Sequence, residues 1–249
     1  MRILLPPSET KRAGGEGDRL DVKALAFPAL APQRRALVRE LRGLARDAEA
    51  SAVALKLGAT QRGEIEANRR LTLSPTMPAI ERFTGVLFDG LDSASLTEPE
   101  RAFAHQHLLV HSALFGPVAA LDPIPAYRLS HDSRLPGISL KKHWSPAISR
   151  ELNREEGLVL DLRSEGYRDL GPAPVREHSV WLRVLTEGED GRRRALNHFN
   201  KAAKGRFTRA LVREQHDVAS VDELLDWAAL SGWRLERIAG VPEELALIV

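Results

Sequence analysis

The chain has no cysteine among its 249 residues. That absence excludes disulfides, thiolate metal sites and cysteine nucleophiles together, and it fits a cytoplasmic protein. No apolar run approaches the ~20 residues that cross a bilayer, and the N-terminus reads as a short strand rather than a signal peptide. A soluble protein with no membrane partner is therefore expected. Net charge is scarce too: 36 Lys and Arg stand against 34 Asp and Glu, a formal +2. Contact with a polyanion has to come from local clustering of charge. The patterns G-x-x-x-x-G-K-S/T, G-x-S-x-G and H-E-x-x-H are missing, which removes support for a phosphate-loop NTPase, a standard esterase or a zincin.

What is present is a concentrated basic segment. From Asn197 to Arg213 the chain carries Lys201, Lys204, Arg206, Arg209 and Arg213 and no acid. Wound as a helix from Asn200, these positions cover an arc of roughly 200°. Phe199, Ala203, Phe207, Ala210 and Leu211 fill the remaining side as an apolar stripe. A helix docked by that stripe presents a cationic surface for a phosphate backbone or an anionic small molecule. A solvated helix face is the alternative.

Arg2 to Leu5 reads as a strand closed by Pro6-Pro7, followed by Ser8, Glu9, Thr10, Lys11 and a glycine-rich loop. Polar groups directly after a strand suit a site, and a flexible surface loop is the competing reading. Pro32 opens a helix with Leu37, Leu41, Leu44 and Ala48 on one face and arginines opposite. Ala52 to Leu71 reads as helix, short turn at Gly58-Ala59-Thr60, helix. Gly85 to Phe88 and Leu108 to Leu114 read as buried strands. Glu98 to Gln106 between them reads as a helix capped by Thr97 with Glu100. A proline-rich extended stretch leads to Arg128, Leu140 to Asn153 is helical, and Gly157 to Leu162 is a strand ending in Asp161, Arg163, Ser164, Glu165 and Tyr167. A hairpin across Glu187 to Gly191, the basic helix, a helix over Asp222 to Leu230 and two final strands complete an α/β body. The expected architecture is mixed α+β: one domain over residues 1–249, a central mixed sheet, and a helical insertion at about 33–75.

Several strand ends gather polar groups. Ser8, Lys11, Arg128, Asn200, Lys201 and Lys204 are candidate anion-binding residues. Glu9 and Glu165 are candidate proton carriers, with Tyr167 beside them. A buried ionic network that fixes loops would use the same residue types. His107 and His111 would share a helix face, but the local sequence reads as a strand, where i and i+4 lie about 13 Å apart. Metal binding is not expected there, and no cofactor is called for.

The order of these pieces resembles the YaaA family, bacterial proteins associated with peroxide stress. The resemblance is carried by Ile3 to Lys11, Phe88 to Asp92, Ser112 to Gly116, Leu121 to Leu129, Leu160 to Tyr167 and Lys201 to Gly205. It implies a mixed α/β fold with a helix–hairpin–helix element and a positively charged cleft. It also implies binding to double-stranded DNA and a role in limiting damage from hydrogen peroxide and intracellular iron. The helix–hairpin–helix would fall on Ala52 to Leu71, with Lys56, Gly58, Thr60 and Arg62 as matching positions. Lys204, Arg206 and Arg209 would contact DNA from the C-terminal basic segment. Two positions depart from the family pattern: Phe115 stands where its usual tyrosine would be, and Lys204 where its arginine would be. An enzyme acting on an anionic small molecule in a Lys/Arg/Glu cleft is the second reading.

Overall fold

The computed structural model describes residues 1–188, 193–195 and 199–249. The chain starts with β1 (Arg2–Leu5), whose apolar run ends at Pro6-Pro7, and β2 (Gly17–Arg19). The helical insertion is α1 (Ala31–Leu44), α2 (Ala48–Ala54) and α3 (Ile65–Arg69). β3 (Pro75–Pro78) and α4 (Ala79–Arg82) return the chain to the body. Next come α5 (Val86–Leu91), α6 (Glu98–His107), β4 (Leu108–Ser112), β5 (Gly116–Ala119) and β6 (Pro123–Ile124). They are followed by α7 (Leu140–Leu152), β7 (Val159–Asp161), α8 (Glu165–Leu170), β8 (Ser179–Glu187) and β9 (Arg193–Ala195). α9 (Phe199–Glu214), α10 (Val221–Leu230), β10 (Arg234–Ile238) and β11 (Val241–Ile248) close the chain. The tip of the expected hairpin, Glu189 to Gly191, lies outside the described residues, as do Asn197 and the side chain of Phe199.

The main sheet runs β10-β11-β8-β7-β1-β4-β5, with β9 pairing β8. Its central strands β11, β8, β7, β1 and β4 are parallel, and the hairpin partners β10, β5 and β9 are antiparallel. β1, β4 and β7 read as continuous apolar runs because helices cover both faces, and Ile3, Leu5, Leu108, Val110, Val159 and Leu160 are fully buried. A small sheet, β2-β3-β6, lies apart. From β1 the chain proceeds to β4 on one side; from β7 it proceeds to β8 on the other. The boundary between β1 and β7 is thus a topological switch point, where loops diverge and leave a crevice at the C-terminal strand ends.

Two expectations change. Gly85 to Phe88 is the start of α5, not a strand. Gly85 adopts φ 95° at its N-cap, and α5 then packs along α9. Four apolar residues cannot distinguish strand from helix on their own. The contact with α9 decides, and it depends on two glycines: a Cβ on Gly205 would stand 2.1 Å from the Leu87 carbonyl oxygen, and one on Gly90 3.0 Å from that of Ala202. The expected helix–turn–helix over Ala52 to Leu71 is α2, a 3-10 turn over Ala59–Glu64, and the five-residue α3. α2 begins earlier than expected because Asp47 caps it, accepting from the Glu49 and Ala50 amides at 3.0 Å. The expected capping box is present, with the Thr97 amide donating to Glu100 at 2.7 Å.

Glycine substitutions separate close packing from helix propensity. Gly205→Ala is expected to destabilise by about 2 kcal/mol or more through overpacking. Gly43→Ala, in α1 with nothing within 4 Å of the new Cβ, should stabilise by about 0.5–1 kcal/mol. Urea melts of the two variants check both signs.

Candidate functional site

A cleft of about 550 Å³ opens at the switch point. Its floor is the loop after β1, Pro6 to Thr10. Leu162 to Ser164 after β7, Ser130 and His131, Tyr167 of α8 and the first turn of α9 form the walls. The two prolines end β1 and turn the loop into the crevice. Of the expected anion-binding and proton-carrying residues, Ser8, Glu9, Tyr167, Asn200, Lys201 and Lys204 line this one cavity. Glu165 lines the adjoining groove with Ser164, Asn200 and Lys204. Lys11 and Arg128 sit behind Glu9 rather than in the opening.

Arg128 is buried and donates from Nη2 to Glu9 at 2.7 Å and from Nη1 to Glu64 at 3.2 Å, while the Ser130 hydroxyl donates to the other Glu9 oxygen at 3.4 Å. The Arg128 peptide is fixed in turn: its N–H and C=O pair with the Asn68 side chain at 2.8 and 2.9 Å. Lys11 folds back under its own loop, donating to the carbonyls of Ser8 and Glu9 at 3.0 and 2.9 Å, with its ammonium 4.3 Å from the Tyr127 ring centroid. Burial, then the neighbouring Arg128, pulls its pKa down to about 7. The Tyr167 hydroxyl is pushed up by burial; its bond to Ser130 opposes that rise and the Glu9 charge adds to it. Tyr167 is therefore a neutral phenol.

Lys204 was expected both in the cleft and on the cationic arc of α9. It is buried instead, donating to the Leu162 carbonyl at 2.8 Å. Burial lowers it to about 8, against the pull of Asp161. The amine retains two further donors. Beneath it, Arg163 forms a forked pair with Asp161 at 2.9 and 2.6 Å and donates to Nδ1 of His111 at 2.6 Å. His111 is accordingly neutral, its pKa held well below the usual imidazole range by burial and by Arg163. His107 is the last residue of α6 and bonds the Met1 carbonyl at 2.9 Å, so the two histidines serve different elements. Phe115 is fully buried, its ring edge-on to Tyr127 at 5.3 Å.

Most of the expected DNA-contacting residues are engaged within the chain. Lys56 pairs with Asp132 at 2.6 Å, and Arg62 with Glu49 at 3.0 Å. The Gly58 amide is taken by Gln61 at 3.1 Å, and Thr60 is exposed beside it. Arg209 turns inward to the carbonyls of Leu91 and Asp92 at 3.0 and 2.9 Å and to Ser95 at 2.7 Å. Lys201 and Arg206 remain exposed without partners among the described residues. A denser group of unpaired positive charge lies on α1. Arg35, Arg39 and Arg42 on α1 and Arg46 just past it are exposed and have no ion-pair or hydrogen-bonding side-chain partner among the described residues. With Lys23 they line a groove of about 650 Å³. The run of arginines opposite the apolar face of this helix was visible in the sequence but was not taken as a site. Ser130 and His131 were missed as well, although they follow Arg128 in the same loop.

A mixed α/β protein with a polar cleft at the switch point and a cationic helical insertion is the class that fold and site define. The family model described as peroxide stress protein YaaA matches residues 1–238. The chain is 41% identical to a UPF0246 protein of Corynebacterium glutamicum over the full length of both. It is 39% identical to one of Corynebacterium efficiens, again over both full lengths, and 38% identical to one of Streptomyces coelicolor, covering 100% of this chain and 98% of that protein. The chain belongs to the YaaA/UPF0246 family of peroxide stress proteins. Among the described residues no helix is long and apolar enough to cross a membrane.

The lysine behind the cleft makes stability depend on pH. Lys11 ionises at about 7 in the folded protein and at 10.5 as a free side chain. Between those values the unfolded chain binds more protons, so the stability linked to this group is complete above the higher value and is lost as pH falls toward the lower. Urea melts from pH 7 to 10 should show wild type gaining on Lys11→Met as pH rises. Parallel profiles would refute the shift.

Proposed function

We propose that this peroxide stress family member contacts double-stranded DNA without reading its sequence, chiefly through the arginine ridge of α1. The observation that supports this is the row of four arginines with no ion-pair partner among the described residues, spaced at helical intervals on one exposed face. From Arg35 to Arg42 the helix rises roughly 10 Å, with Arg46 just beyond its end, a length over which a duplex presents several phosphates. Arginine suits phosphate contact because its guanidinium can donate two parallel hydrogen bonds. Lys201 and Arg206 would add weaker contacts. The hairpin near Gly58 is a poorer candidate, since its amide and its two cations are already paired within the chain. A part in limiting damage linked to peroxide and intracellular iron would then be exerted at DNA, by coverage of the backbone.

Fluorescence anisotropy with a duplex across a salt series tests this. Wild type should bind different sequences alike, with a logarithmic salt slope of about −0.9 per phosphate contact. Reversing Arg35, Arg39, Arg42 and Arg46 to Glu should abolish binding, whereas Lys201→Glu with Arg206→Glu should flatten the slope by about 2. Absence of binding at low salt, or full binding by the α1 variant, would defeat the proposal.

A further inference from the structure

The cleft at the switch point is unsuited to a duplex backbone and well suited to something smaller. One wall carries Glu9, which Arg128 and Ser130 hold in place. A phosphate backbone laid along it would meet that carboxylate, whereas a small ester can turn its phosphate to the opposite wall. Already accepting from Arg128 and Ser130, Glu9 calls for O–H or N–H groups from whatever enters. Another wall is the first turn of α9. It offers exposed Lys201, the two remaining donors of buried Lys204, and Asn200, whose Oδ1 is sealed from water with no hydrogen-bond partner among the described residues. An unpaired buried amide oxygen is a cost that a ligand donor, or a turned amide meeting a ligand acceptor, removes. Two ammonium groups at the start of a sixteen-residue helix favour a compact dianion, since the helix dipole adds to their charge. The volume fits a small metabolite.

We infer that this cleft binds a phosphorylated small molecule that carries hydroxyl groups, with its phosphate on Lys201, Lys204 and Asn200 and its hydroxyls on Glu9 and Ser130. The shared chemistry is a phosphate monoester of a polyol, which a sugar phosphate and a nucleoside monophosphate both supply. This site is separate from the arginine ridge of α1 and does not depend on it.

Isothermal titration of the full chain with ribose 5-phosphate, adenosine 5′-monophosphate, inorganic phosphate and ribose tests the assignment. At least one ester should bind about tenfold or more tightly than either inorganic phosphate or ribose alone. Preference for ribose 5-phosphate would point to sugar phosphates. Preference for the nucleotide would point to a base packed near Trp181 and His131, which also line the cavity. Lys201→Glu should weaken the ester and inorganic phosphate alike, whereas Glu9→Gln should weaken the ester and spare inorganic phosphate. Should Glu9→Gln melt early, Ser130→Ala takes its place. Esters no tighter than inorganic phosphate, or binding indifferent to both substitutions, would overturn the inference.

Discussion

Long irregular segments wrap the C-terminal edge of this sheet, and their backbone carbonyls have no ladder to join. A buried carbonyl left unpaired costs free energy comparable to a lost hydrogen bond, so such loops need internal donors. The protein meets this constraint with buried arginines. Arg34 donates to the carbonyls of Phe115, Ala26 and Pro117 at 2.8, 2.6 and 3.1 Å, tying α1 to the start of β5. Arg82 donates to those of Ile124, Gly14 and Pro75 at 3.1, 2.9 and 3.2 Å, and to that of Arg12, gathering the glycine-rich loop. Arg163 adds the Gly171 carbonyl at 2.8 Å to its pair with Asp161. All three side chains are fully buried. Burial lowers Arg34 and Arg82 to about 10, which leaves both protonated at neutral pH. Desolvating a guanidinium costs several kcal/mol, and a shell of carbonyl dipoles is what offsets it here.

That use of arginine changes how charge relates to function. Several basic residues of this chain are loop clamps rather than surface cations, so counting positive residues along a helix overstates its field. α9 illustrates the difference: of its five basic positions, Lys204 is buried, Arg209 binds the carbonyls that end α5, and Arg213 faces Glu100 at 3.7 Å. α1 holds the opposite balance. Arg34 is the clamp, and the arginines on its outer face have no ion-pair partner among the described residues.

The strands β1, β4 and β7 were legible because parallel strands buried on both faces appear as unbroken apolar runs, whereas the short β2, β3 and β5 were not. The capping box before α6 was legible because every group in it is local. The cleft was partly legible, since polar residues directly after β1 and β7 are placed by strand direction alone. The buried cations were not recognised, yet helical period carried a signal. Arg34 stands three before Leu37 and seven before Leu41, and Lys204 stands three before Phe207 and seven before Leu211, each on its apolar stripe. For α5 no local signal exists: its helix is selected by a glycine-to-glycine contact more than a hundred residues away.

Arg128 links the two halves of the molecule. Its guanidinium is shared between Glu64 at the end of the 3-10 turn and Glu9 at the floor of the cleft, while Asn68 of α3 holds its peptide. A side chain already ordered by one partner loses less freedom in binding the next, so the second carboxylate is held at a lower entropic cost than an isolated pair would incur. Removing the guanidinium would leave two carboxylates facing each other across the junction and release the loop after β1. The helical insertion is thus more than an appendage carrying a cationic ridge. Through one buried arginine it also sets the position of the carboxylate that gives the cleft its polarity.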